Sequence, residues 1–301
     1  MPHVIDLADD GVMTLADCVE ALSTRGFDPH DEDSLAHAAL HLRRLGNDRQ
    51  FLGDLLVAEL AAGKAEDDGE NSYGPQVVML APPGEGDFFI RANIWPSEDE
   101  HTMRASGGGA FVYALPHDHN FSFLTLGYFG PGYWSNYYEF DYEAVAGWRD
   151  EPVDLKFIEK SRLEEGKLQL YRAHLDVHDQ IPPDALSVSL NIMHTTGAQG
   201  WFDQYSFDLA RGCVGRIVSN GSSEAFVRIA VGLGNVEALD LAERFARGHP
   251  SHRMRLAAWG ALASVSSDAN QRDAVWRRAE TSGSRLVAGE ARIRRNSLAH
   301  A

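Results

Sequence analysis

Over residues 14–63 the apolar positions recur every three to four residues, the spacing of helices that bury one face. Leu35, Ala38, Leu42 and Leu45 form one stripe, and Ser34, behind the acidic Asp31-Glu32-Asp33, is placed to cap its start. Gly46-Asn47-Asp48 separates it from a second stripe of Phe51, Leu52, Leu55, Leu56 and Leu60, and the polar run Lys64–Asn71 reads as a loop. After Gly74-Pro75 the period shortens. Segments rich in β-branched and aromatic residues predict strands over 76–80, 88–95, 110–115, 121–128, 133–140, 153–157, 167–171, 186–193 and 201–207. Gly107-Gly108-Gly109, Gly130-Pro131-Gly132 and Pro182-Pro183 are among the turns between them. With no long helical pattern intervening, this stretch predicts a sandwich or barrel, whose inward-facing side chains can hold a ligand or metal. Ser219-Asn220-Gly221-Ser222 reads as a linker. Helices return beyond it over 223–233 and 236–247, from Pro250-Ser251 (with Met254, Leu256, Trp259 and Leu262), over 270–279 and from about 285. They predict a small HEAT-like repeat unit or a plain helical cap. The expected organisation is an N-terminal helical segment over 1–72, a β domain over 73–218 and a C-terminal helical domain over 222–301.

The hydrophobic fraction, 44%, is ordinary for a globular chain, and no apolar run reaches the roughly 18–20 residues of a membrane helix. The N-terminus has no basic segment ahead of an apolar one, so a cytoplasmic location is expected. Cys18 and Cys213 alone make neither a disulfide framework nor a cysteine-rich metal site. The net charge of −17 is uneven: residues 211–301 carry 14 Arg and 8 acidic residues, while 1–210 carry a net −23. Such a negative field repels phosphate backbones, so nucleic acid is not an expected partner of the β domain, despite the basic tail of Arg292, Arg294 and Arg295.

The candidate chemistry lies at Pro116-His117-Asp118-His119-Asn120, with His178 about sixty residues later. Two histidines one residue apart on a strand point the same way, and a third ligand from a neighbouring strand completes a facial set with open positions. That set suits a catalytic iron, manganese or zinc better than a closed structural site. His37 and His41, spaced i, i+4 on a helix, read as structural.

The segment from Phe89-Ile90-Arg91-Ala92-Asn93-Ile94-Trp95 to Pro116-His117-Asp118-His119 resembles the first metal motif of the cysteine dioxygenase-like cupins. In that family a strand ending in Trp precedes an H-D-H segment. His174-Leu175-Asp176-Val177-His178-Asp179, followed by Pro182-Pro183 and Leu186-Ser187-Val188-Ser189-Leu190-Asn191, is similar to the second motif, whose third histidine sits in a loop before a V-S-L strand. The likeness spans roughly residues 75–210. It implies a mainly β chain built on a cupin (double-stranded β-helix, jelly-roll) barrel, with helices before it and a small helical domain after it. It also implies His117, His119 and His178 as iron ligands, with His174 a rival third ligand. Glu139 reads as a strand-surface acid, with reach to the metal from the next strand as the alternative. Arg91 matches a carboxylate-binding arginine of the family and is the expected substrate-binding residue, since guanidinium forks suit carboxylates. Where the family carries Ser, His and Tyr at alternating positions of the last motif strand, this chain has Ser189, Asn191 and Met193, and Leu124 stands where many members have a cross-linked Cys. The departure argues against cysteine itself as substrate and leaves Ser189 and Asn191 as the expected catalytic pair on the polar face of 186–193.

The leading expectation is a non-haem Fe(II) oxygenase that acts on a polar amino-acid-like small molecule or a peptide, with O2 as co-substrate. Zn, Mn and Ni are the alternative ions; zinc or manganese would instead fit a redox-neutral isomerase, lyase or hydrolase, and a third reading is a non-catalytic metal-binding sensor or interaction protein. Asp118, Asp176 and Asp179 are expected to orient the imidazoles. Tyr128, Phe129, Tyr133, Trp134, Tyr137 and Tyr138 form an aromatic cluster that reads first as sheet packing, with the mouth or a wall of the substrate site as the alternative. Pairing as a homodimer, or with a protein partner through the C-terminal helices, is also anticipated.

Overall fold

The computed structural model describes residues 2–61, 75–219 and 221–300, so the predicted loop at 64–71 lies outside the described residues. The chain divides into two compact units, one of Met1–Phe140 with Leu155–Phe202, the other of Asp141–Asp154 with Asp203–Ala301.

The first unit runs β1 (His3–Val4), α1 (Leu15–Arg25), α2 (Glu32–Asn47), α3 (Phe51–Ala61), β2 (Val77–Ala81), β3 (Phe88–Trp95), α4 (His101–Ser106), β4 (Phe123–Phe129), β5 (Trp134–Glu139), β6 (Lys156–Arg162), β7 (Leu168–Tyr171), β8 (Asp176–Ile181) and β9 (Ser187–His194). Thr14 caps α1 through the Asp17 N–H at 3.1 Å. Asp31, not Ser34, caps α2: its carboxylate accepts from the Ser34 N–H at 2.7 Å. A six-stranded antiparallel sheet has the order β1-β7-β4-β9-β3-β2, and a three-stranded one the order β6-β5-β8.

Alternation along the strands gives the large sheet two unlike faces. Ile90, Ala92, Leu124, Leu126, Leu190 and Ile192 point to one side and pack with Leu22, Ala38 and Leu42 of α1 and α2 in an apolar core. The opposite side meets the small sheet, where Phe89, Phe123, Tyr171 and Met193 cluster with Tyr137 of β5. Neither sheet closes on itself among the described residues, and helices outnumber the expectation, so the mainly β, closed-barrel architecture does not hold. Helices α1 and α2 instead cover the outer apolar face of the large sheet.

Two other expectations change. No strand forms over 110–115: Gly108–Phe111 is a 3-10 turn, and Val112 and Ala114 take left-handed φ values of 61° and 54°, which break a ladder. The chain around 178, expected as a loop, is strand β8, paired antiparallel with β5 through Tyr137↔His178.

The second unit holds the ribbon β10 (Tyr205–Asp208) and β11 (Cys213–Ile217), then α5 (Ser222–Gly232), α6 (Val236–Gly248), α7 (His252–Ser264), α8 (Ala269–Glu280) and α9 (Arg285–Ala299). Its core is alanine-rich around the buried Trp259 and Trp276. The early segment 141–154 is tied in by Glu151, whose carboxylate accepts from the Gly147 N–H at 2.6 Å, and by Trp148, whose ring lies where a Cβ at Gly289 would come within 2.3 Å. No helix among the described residues is long and apolar enough to cross a membrane.

Candidate metal centre

His178 faces the space between the two sheets from the middle of β8, and an isolated antiparallel bridge, His117↔His178, sets the 117–119 segment beside it. His117 N–H donates to His178 C=O and the reverse bond forms, both at 3.0 Å. Because residues 117 and 119 are extended with one residue between them, both rings turn to the same side.

All three side chains are buried, at 4%, 8% and 1% exposure for His117, His119 and His178. The Nε2 atoms of His119 and His178 lie 3.0 Å apart, and those of His178 and His117 3.2 Å apart. No other group of His, Cys, Asp or Glu among the described residues closes to a comparable triad. His117 is fixed as the tautomer a ligand needs: its Nδ1–H donates to the Leu115 carbonyl at 2.6 Å, leaving the Nε2 lone pair inward. Burial pushes the His117 imidazole down to about 4, the Leu115 bond opposing. Burial, and then the nearby His117, His178 and Arg91, hold His119 well below its ordinary value; burial and His117 do the same for His178.

Neutral imidazole lone pairs facing one another at these separations repel unless a proton or a cation lies between them. Two nitrogens each about 2.1 Å from one ion and at right angles would stand about 3.0 Å apart, the spacing of adjacent octahedral positions. The donor set therefore suggests a metal, with His117, His119 and His178 as its holders and further positions open.

The rival ligands fall away. His174 has a left-handed φ of 62° and packs its ring 5.0 Å from Phe202, outside the triad. Glu139 pairs with Arg172 at 2.9 Å. The expected acceptors for the ring N–H groups do not act as such: Asp176 is engaged by Arg172 at 2.6 Å, Asp179 faces Asn136, and Nδ1 of His119 and of His178 has no hydrogen-bond partner.

Strand register assembles a polar row across the large sheet beside the triad. Arg91 of β3 pairs with Asn191 of β9, Asn191 with Thr125 of β4, and Thr125 with Gln169 of β7. One step away, Ser189 accepts from Trp95 Nε1 at 3.0 Å. From the small sheet, Tyr137 receives a bond from Gln169 Nε2 at 3.1 Å, and its hydroxyl lies 2.9 Å from that of Tyr171. The Tyr171 ring is 4.9 Å from the His178 ring. Burial raises both phenols, so each remains a neutral donor. Thr125 Oγ1, Asn93 Oδ1 and Gln180 Oε1 are buried on these facing surfaces without a hydrogen-bond partner. Such orphans are costly unless a ligand or water meets them.

The aromatic cluster is split by the pleat, and most of it packs as expected of sheet aromatics rather than forming one wall. Tyr133 and Tyr137 are buried inside, whereas Trp134 lies under Lys160 and Arg162, Tyr138 packs on Phe157, Tyr128 packs on Phe51, and Phe129 is exposed. Thr125, Gln169, Tyr171, Asn93 and Gln180 were not singled out in the sequence. The signal that finds them is polar residues on one parity of otherwise apolar strands, as in Leu124-Thr125-Leu126 and Leu168-Gln169-Leu170.

No protein-family model matches the chain, and no curated protein matches it. Solved structures that align with it include the DMSP lyase DddQ from Ruegeria pomeroyi DSS-3, at 9% identity and a TM-score of 0.27, over 65% of this chain and 79% of that one. A structure of the DMSP lyases RdDddP and RnDddQII aligns at 12% identity and 0.24, over 69% and 84%. A prolyl 4-hydroxylase structure from Phytophthora capsici aligns at 10% and 0.25, over 91% and 77%. At these TM-scores the alignments bear no further argument, and the site rests on its own geometry.

Proposed function

We propose that the chain is a metal-dependent enzyme of the cupin kind, which uses non-haem iron(II) at His117, His119 and His178 to oxidise a polar amino-acid-like or peptidyl substrate with dioxygen. The observation that carries the reading is the convergence of three buried, uncharged imidazole nitrogens beside a polar, cationic wall. Bound there, iron(II) supplies Lewis acidity and one-electron chemistry toward dioxygen. The protein's part is to bind and orient. Arg91 provides a planar fork for a substrate carboxylate, close enough to the triad for its charge to act on His119. Asn191, opposite Arg91 in register, aligns the substrate's polar end. Ser189 holds Trp95 in place while keeping its own proton to donate. Tyr137 and Tyr171 offer phenolic protons from the other side, and the surrounding burial excludes bulk water.

Metal analysis of protein purified without chelators or a histidine tag, combined with oxygen-electrode assays against amino acids and short peptides, tests the proposal. About one iron per chain with substrate-dependent oxygen uptake, lost in His117→Ala, supports it. Zinc or manganese with anaerobic turnover would move the chain to the redox-neutral isomerases, lyases or hydrolases. Tight metal without turnover would make it a sensor.

A further inference from the structure

The second unit carries a cavity of about 470 Å³ that has no part in the metal centre. It is formed where α5, α7 and α9 each turn one helical stripe toward β11 and the 141–154 segment. Five guanidinium groups line it, those of Arg149, Arg216, Arg228, Arg253 and Arg294, against the carboxylates of Glu224 and Glu290. Both carboxylates are committed. Glu224 pairs with Arg253 at 2.9 Å, and Glu290 accepts from the Arg149 backbone N–H at 2.9 Å and lies 3.6 Å from Arg294. Asp203 takes the other side of Arg253. The exposed side chains of Arg149, Arg216 and Arg228 have no acidic partner among the described residues.

Three unpaired cations around one concavity repel one another, an arrangement that a bound anion turns from a cost into an attraction. It stands out in a chain whose net charge is −17, where acidic partners are plentiful. The volume falls within the roughly 300–1,000 Å³ of small-molecule pockets, and Gly147, Gly215 and Gly260 add no side-chain bulk to the wall. Guanidinium forks match phosphate and carboxylate oxygens bidentately.

We propose that the second unit binds a small polyanion, a molecule bearing two or more phosphate or carboxylate groups, through Arg149, Arg216 and Arg228. The site is independent of the metal centre and of the activity proposed there. Isothermal titration calorimetry of the full chain at low ionic strength, with inorganic pyrophosphate and with citrate, tests it. One saturable site is expected, weakened at least about tenfold by Arg149→Gln, Arg216→Gln or Arg228→Gln, the loss of one charge-assisted hydrogen bond. Arg247→Gln, an exposed arginine on α6 outside the cavity, should leave binding unchanged. Tighter pyrophosphate binding assigns a phosphorylated ligand, tighter citrate binding a polycarboxylate. The three substituted side chains are exposed, and each variant is read separately, so misfolding of one leaves the test intact. No saturable binding of either probe at millimolar concentration, or binding equally strong in all three variants, overturns the proposal.

Discussion

A divalent metal should raise the melting temperature of the β-sheet unit, and His178→Ala should remove most of that rise. In the native chain the three imidazoles converge on one small space, two of the Nε2 separations being 3.0 and 3.2 Å. A metal supplied at a hundred times its dissociation constant stabilises the folded state by about 2.7 kcal/mol. For folding units of roughly 150–250 residues each kcal/mol moves Tm by about 2–4 °C, so the expected rise is about 5–11 °C. Losing a group that merely orients a metal ligand costs roughly 10–100-fold in affinity, so losing one nitrogen of three costs at least about a hundredfold. At the same metal concentration the stabilisation then falls to about 0.4 kcal/mol, a rise of under about 2 °C. The substitution also removes a side chain 1% exposed that packs against Tyr171, which lowers Tm on its own account. The quantity to read is therefore the difference between scans with EDTA and scans with iron(II), zinc or manganese, by differential scanning calorimetry with anaerobic handling for iron. Tyr171→Phe alters the same neighbourhood but keeps all three imidazoles and the ring that packs on His178, and should keep the full shift. A full shift in His178→Ala, or none in the native chain with any of the three metals, refutes the triad as a metal centre.

Gly132 has φ +81°, and a Cβ there would stand 1.9 Å from the Leu163 carbonyl oxygen; Gly132→Ala should cost at least about 2–3 kcal/mol in urea unfolding. In the helical unit, hydrogen bonds from Arg278 and Arg247 lower Glu243, and those from Arg295 and Arg277 lower Asp273. Their folded-state values lie below the unfolded ones, so this stability is present above the ordinary carboxylate range and is lost as pH falls through the lowered values. Glu243→Gln should flatten the acid limb of unfolding below about pH 4.5, followed by circular dichroism. Burial pushes the Cys18 thiol up to about 12 and Cys213 is buried as well, so a colorimetric disulfide reagent at pH 8 should count no thiols in the folded chain and two in denaturant.

Helices and apolar strands were legible because their periodicities are driven by burial on one side. The stripe Leu35–Leu45 became α2, and 88–95 became β3 at the same limits. His117, His119 and His178 were legible for a different reason, since two histidines of equal parity stand out from an otherwise apolar neighbourhood. Strand β8, which carries the third histidine, was not, because Asp-Val-His-Asp-Gln-Ile has polar residues on both faces. One face looks into the polar interior and the other toward Asn136, so neither reads as core. The run at 110–115 misled in the opposite direction: its composition favours a strand, but the three glycines before it allow a tight turn, and among the described residues it pairs only through an isolated bridge of Tyr113 to Gln180. The polar row from Arg91 to Gln169 depends on which strands are neighbours, which single-chain periodicity does not encode.

The segment 141–154, which belongs with the helices although the polypeptide returns afterwards to lay down β6 through β9, has a consequence for how the protein can be made. A ribosome must release residues near Gly289 before Trp148 finds its seat, so the helical half matures only after β6 through β9 and the helices up to α9 have emerged. For the same reason no single scission yields both halves intact: a fragment starting at 203 would expose the groove that the indole occupies, and one ending at 202 would carry an orphaned fourteen-residue loop. Testing the two proposed sites separately calls for point substitutions or a circular permutant rather than truncation.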